Sequence, residues 1–219
     1  ASAVIPRRCS SCMTPLTSGE SRWCGPCEFG WVRHVANPLE RFGDRLDWCF
    51  GWSWLSMASG GERKMVHQLK YGGHAALGHT LGEAMAREFL GTQVWDSTQS
   101  WGIVPIPLHR KRLRHRGYNQ SEQLASGWAT VTKMKALNPL VRTKAGASLT
   151  KMSRTQRLSH GENPFRWIHP KAALLGSIQG LLIVDDVVTT GSTLERAHFT
   201  VRQHWPGPLG FVTLINAIH

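Results

Sequence analysis

No apolar run in this chain is long enough to cross a bilayer, which excludes a helical membrane-spanning protein. A charged start followed by an apolar stretch and a cleavage site is missing too, so a soluble, cytoplasmic protein with no membrane insertion is expected. There is no internal repeat and no low-complexity tract. Acidic residues are scarce: 14 Asp and Glu face 26 Lys and Arg, a net charge of +12. Such a chain attracts polyanions unless its own ligand takes up the positive surface, and nucleic acid is the obvious candidate. A pyrophosphate-bearing small molecule would use only a few of those charges. A surface made basic merely for solubility is the plainer alternative, although acids do that better. The remaining composition, 41% hydrophobic and 18% charged over 219 residues, suits one medium α/β domain with a small appendage.

Residues 181–193 organise the rest. Leu181, Leu182, Ile183 and Val184 form an uninterrupted apolar run, which reads as a strand buried on both faces of a parallel sheet. Asp185 and Asp186 follow at its carboxyl end, where open α/β sheets bind ligands. Val188, Thr189, Thr190, Gly191, Ser192 and Thr193 then lead into a helical pattern from Leu194 to about His204. Hydroxyls and backbone N–H groups at a helix start make an anion cradle. Carboxylates for ribose hydroxyls beside a cradle for a 5′-phosphate point to a phosphorylated sugar. The run resembles the phosphoribosyl pyrophosphate (PRPP) signature of type I phosphoribosyltransferases. A capped, acidic helix start without a ligand is the alternative.

Cys9 and Cys12, then Cys24 and Cys27, form two C-x₂-C knuckles. Each aims two thiolates at one point, and four thiolates satisfy tetrahedral Zn²⁺ in a closed, structural site. A disulfide pair or a redox C-x-x-C are the alternatives, disfavoured by the missing secretory pattern and by the duplication of the knuckle. Cys49, among Trp48, Phe50 and Trp52, is expected to be a buried apolar residue.

Between these landmarks, residues 46–55 read as a strand, 62–69 and 77–90 as helices, and 103–108 as a short apolar strand ended by prolines. Arg110, Lys111, Arg112, Arg114 and Arg116 crowd the next stretch with Glu122 as the only nearby acid, so it should contact a phosphate-rich ligand or extend into solvent. Asn119 is expected to cap a helix from Gln120 to about Met134. Leu140 and Val141 read as a brief strand, residues 142–165 as a basic loop or a short solvated helix, and 209–215 as a strand. The ten tryptophans are mostly core, with one or two at best available to stack on bases.

The paired knuckles, His67-Gln68-Leu69-Lys70-Tyr71, Val104-Pro105-Ile106-Pro107-Leu108, Arg116-Gly117-Tyr118-Asn119-Gln120 and Val184-Asp185-Asp186 with its Thr-Thr-Gly turn resemble the ComF family in kind and order. The resemblance covers nearly the full length. It implies an α/β fold: a type I phosphoribosyltransferase-like parallel twisted sheet flanked by helices, with a small N-terminal Cys₄ zinc ribbon. Residues 1–38 would be the zinc-binding module and linker, and 39–219 the phosphoribosyltransferase-like domain. It also implies DNA uptake and natural transformation, with incoming single-stranded DNA and competence proteins as partners. The alternative is an active phosphoribosyltransferase of nucleotide metabolism using PRPP and Mg²⁺. Under that resemblance Asp185 and Asp186 serve the ribose hydroxyls and indirectly Mg²⁺, and Val188, Thr189, Thr190, Gly191, Ser192 and Thr193 hold the 5′-phosphate. Lys70 or the arginines of residues 110–116 take the pyrophosphate or DNA. The chain departs from the family at Leu149 and near His160, where Gln and Asn are usual.

Overall fold

The computed structural model describes residues 7–20, 22–34, 38–42, 46–58, 60–92, 100–143, 163–169 and 175–217. The first half comprises α1 (Gly25–Gly30), a 3-10 turn (Pro38–Arg41), β1 (Phe50–Ser56), α2 (Gly60–Tyr71), α3 (Ala75–Leu90), β2 (Trp101–Pro105) and α4 (Arg110–Arg116). The second comprises α5 (Gln120–Thr132), β3 (Lys135–Ala136), β4 (Leu140–Arg142), β5 (Phe165–Trp167), β6 (Gly180–Val188), α6 (Ser192–Arg202) and β7 (Leu209–Asn216).

Five strands form one parallel sheet in the order β1-β7-β6-β2-β3, and β4 pairs antiparallel with β5 beside it. The apolar run of β6 is central and wholly buried, as its lack of alternation predicts. Successive side chains leave a strand on opposite faces, so Leu182 and Val184 join a core with α2, α3 and α5, whereas Leu181 and Ile183 join one with α6 and the β4–β5 pair. Seven tryptophans, Trp23, Trp31, Trp48, Trp54, Trp101, Trp128 and Trp167, are buried in these two cores, which settles their packing role.

Glycine lets α3 and α5 touch. A Cβ at Gly127 would lie 1.9 Å from the His79 carbonyl oxygen, and one at Gly82 would lie 2.1 Å from that of Leu124. The two backbones therefore meet without intervening side chains.

Two local expectations need correction. β1 starts at Phe50, not at 46, because the Asp47 carboxylate is held at α6: 2.8 Å from His198 Nε2 and 2.9 Å from Arg202 Nη2. Cys49 is exposed, since Phe50 takes the inward position while the Cys49 N–H donates to the Leu209 carbonyl at 2.9 Å. The Arg-rich stretch forms α4, whose N-cap His109 ring accepts from the Lys111 N–H and whose C-cap Gly117 adopts φ 80°. The family departures at 149 and 160, and the basic loop or helix of residues 144–162, lie outside the described residues.

The cysteine knuckles dock on the α/β layers rather than standing apart. Cys9, Cys24, Cys27, Trp23 and Trp31 belong to the same apolar core as Trp54, Leu55, Met65 and Leu69. Glu62, fully buried, accepts from the Val32 N–H at 3.1 Å, and Arg33 forks onto Glu88 at 2.7 and 3.0 Å. No described helix is long and apolar enough to cross a membrane.

Candidate functional site

Three elements converge at the carboxyl end of β6. Asp185 is 8% exposed, and its Oδ1 accepts from Ser121 Oγ at 3.0 Å and from the Asp186 N–H at 2.9 Å. Burial first, and then the neighbouring Asp186 charge, push its carboxyl up to about 7, against the opposing pull of Lys70 and Ser121. Asp186 faces the end of α2, where its Oδ2 lies 2.8 Å from Lys70 Nζ. The paired carboxylates thus differ: one is buried and titrates near neutrality, the other is ion-paired.

The Gly117-to-Ser121 run braces this corner. Asn119 caps α5 by accepting from the Ser121 N–H at 3.3 Å, as expected, and also donates from Nδ2 to the Ile106 carbonyl at 3.0 Å. Tyr118 Oη donates to the Leu69 carbonyl at 2.7 Å, one residue before Lys70. Ser121 is a site residue that the sequence reading passed over; its only signal was its place just after the cap.

The turn after β6 is built as a helix start. Gly191 sits at the N-cap of α6 with φ 75°, a conformation that disfavours any side chain. Thr190 Oγ1 donates to Ser192 Oγ at 3.0 Å, while Thr189 and Thr190 are exposed and Ser192 and Thr193 half-buried. Val188 differs from its neighbours: its side chain packs in the core and only its backbone borders the turn.

Arg110, Lys111, Arg112 and Arg114 are exposed on α4, which buries no residue. Arg116 turns back, its guanidinium 5.1 Å from the centroid of Tyr71, the residue after Lys70.

At the N-terminus the four Sγ atoms of Cys9, Cys12, Cys24 and Cys27 lie within 4.8 Å of one another, and all four thiols are free. Tetrahedral zinc with ~2.3 Å bonds requires sulfurs about 3.8 Å apart, so the cluster fits a soft divalent ion. The Ser11 and Cys24 N–H groups donate to Cys9 Sγ at 3.4 and 3.3 Å, as expected around a thiolate. The unpaired sulfurs favour the four-thiolate arrangement over the disulfide alternative.

A five-stranded parallel sheet with paired carboxylates at the end of its central strand, a glycine turn into a helix, and a four-cysteine cluster at the N-terminus is the arrangement expected of a type I phosphoribosyltransferase-like fold with an added cysteine module. By sequence the chain is similar to proteins named DNA utilization protein YhgH and competence protein F. It is 33% identical over 146 residues to DNA utilization protein YhgH of Salmonella typhimurium, a match covering 59% of this chain and 56% of that protein. The Escherichia coli K12 protein of the same name is 32% identical over 139 residues, again 59% and 56%. The chain thus spans little more than half the length of these relatives. Competence protein F of Haemophilus influenzae is 24% identical over 212 residues, 90% of this chain and 91% of that one. No family model matches. Among solved structures, the chain is similar to the allosteric regulatory enzyme of purine biosynthesis and to glutamine PRPP amidotransferase from B. subtilis, both with a TM-score of 0.38, at 19% and 18% identity. Those matches cover 65% of this chain and 25% and 26% of the other chains.

Proposed function

We propose that this protein binds PRPP or a related phosphoribosyl compound at the end of β6 and handles single-stranded DNA during uptake and natural transformation, in the cytoplasm. The observation that carries the reading is the Asp185–Asp186 pair with Lys70 at one oxygen and the Gly191 turn beyond it. Asp186 and the half-buried hydroxyls are positioned for a sugar phosphate. Lys70, released from Asp186, supplies a cation to a pyrophosphate. Asp185 and Asp186 would hold Mg²⁺ together with the pyrophosphate oxygens, and the ion would supply charge neutralisation there. Zinc in the four-cysteine cluster is structural, since four protein ligands leave no open position.

DNA handling is supported by the names of the relatives, by the net charge of +12 and by the row of exposed cations on α4. Competence proteins are the partner class such a role requires.

Calorimetric titration with PRPP and Mg²⁺ tests the site. Binding to the native protein, lost or strongly weakened in Asp186→Asn, is the expected result; equal affinity in the variant removes the assignment. Screening nucleobases for pyrophosphate release then decides whether the bound sugar is consumed.

A further inference from the structure

Beside α4, the β4–β5 pair walls a cleft of about 490 Å³, within the roughly 300–1,000 Å³ range of small-molecule pockets. Its lining is divided. Pro107, Leu108, Leu140 and Ile168 supply apolar surface, whereas Arg110, Arg142 and Arg166 supply positive charge. Among the described residues no carboxylate forms an ion pair with any of these three arginines, although Glu122 shares the cleft.

Arg142 is the clearest case. It ends β4 with its guanidinium carbon 5.4 Å from the Phe165 ring centroid, and its Nε is buried without a hydrogen-bond partner among the described residues. Burial, reinforced by the positive charges of Arg112 and Arg196 and opposed by Asp185, pulls its pKa below the ordinary arginine value. A buried donor on a cation without a partner is costly, and crowding like charges adds to the cost. An anion in the cleft relieves both.

Phosphate alone would leave the apolar wall unused, and an apolar ligand would leave the arginines uncompensated. We infer that the cleft between α4 and the β4–β5 pair binds a 5′-phosphorylated nucleoside unit, its phosphate drawn by the arginines of the lining and its base along Leu108 and Ile168. The unit belongs either to a free mononucleotide or to a single strand of DNA. Neither source depends on the phosphoribosyl reading of the β6 site.

The test uses the full chain with four probes at one ionic strength: deoxyadenosine monophosphate, deoxyadenosine, inorganic phosphate and a short oligodeoxythymidylate. Arg166 lies exposed on β5, so Arg166→Ala leaves the core intact, and its melting temperature and PRPP affinity serve as controls. The mononucleotide should bind more tightly than either deoxyadenosine or phosphate, and Arg166→Ala should weaken it roughly ten-fold while Arg166→Lys retains part of the affinity. Loss confined to the oligonucleotide arm identifies the strand as the source. The inference is overturned if Arg166→Ala leaves both nucleotide probes unchanged, or if phosphate binds as tightly as the mononucleotide. PRPP affinity unchanged in Arg166→Ala separates this outcome from failure of the β6 assignment.

Discussion

Lys70 Nζ lies 2.8 Å from Asp186 Oδ2, so the last turn of α2 is charge-paired to the end of β6. The same ammonium lowers the Asp185 carboxyl, against the larger effects of burial and Asp186. Lys70→Met therefore leaves two carboxylates facing each other without compensation. PRPP affinity should fall about ten-fold, the scale of one charge-assisted contact. A variant that binds PRPP more tightly would mean that the lysine competes for the site rather than serving it.

Asp185 carries a signed pH dependence. Its folded value of about 7 lies above an unfolded carboxyl near 3.9, so the native state holds the extra proton between those values. Stability accordingly declines as pH rises from about 4 through about 7 and does not recover above it. Asp185→Asn keeps an oxygen to accept from Ser121 and cannot ionise. Thermal unfolding at pH 5 and pH 8 should show a smaller difference in the variant, with the variant the more stable at pH 8.

Removing a metal ligand should be felt beyond the knuckles, because Cys9, Cys24 and Cys27 share a core with Leu55, Met65 and Leu69. Cys24→Ser should lose bound zinc and lower the melting temperature of the whole chain by ~4–8 °C, equivalent to about 2 kcal/mol at this size. Retention of stoichiometric metal in elemental analysis would refute the four-sulfur site.

Arg112→Ala with Arg114→Ala should weaken single-stranded DNA binding most at low salt. Each lost phosphate contact reduces the slope of log affinity against log salt by about 0.7, so binding measured across a salt series reads the number of contacts directly. Parallel lines for variant and native protein would remove α4 from the interface.

Gly127→Ala is expected to cost about 3 kcal/mol or more, because the added methyl would meet the His79 carbonyl backbone at 1.9 Å. Gly60→Ala, with nothing within 4 Å, is the control. Chemical denaturation compares them; similar midpoints would contradict the close contact of α3 and α5.

Much of this geometry was legible beforehand where one physical cause dominates. The run from Leu181 to Val184 has no polar interruption, so a doubly buried strand was the only economical reading, and the cysteine spacing left little choice about which sulfurs meet. The Ser121–Asp185 contact joins residues 64 positions apart and leaves no local pattern. Arg142 and Arg166 looked like ordinary basic residues until β4 and β5 paired. Cys49 misled because aromatic neighbours in sequence need not share its face: in extended chain each residue points opposite to the next. Asp47 likewise broke an apolar pattern by answering to α6.

The sheet has one further consequence. The sheet partner of β1 is β7, in register from Phe50 with Gly210 to Ser56 with Asn216, so the first strand waits for the last. During synthesis, the edge of β1 that faces β7 stays unpaired until more than 150 further residues have been made, while its other edge already has Val32 and His34 to bond with Ser56 and Trp54. Such a chain cannot finish folding vectorially. Its cooperative step belongs after β7 emerges, when β1 gains its long-range neighbour.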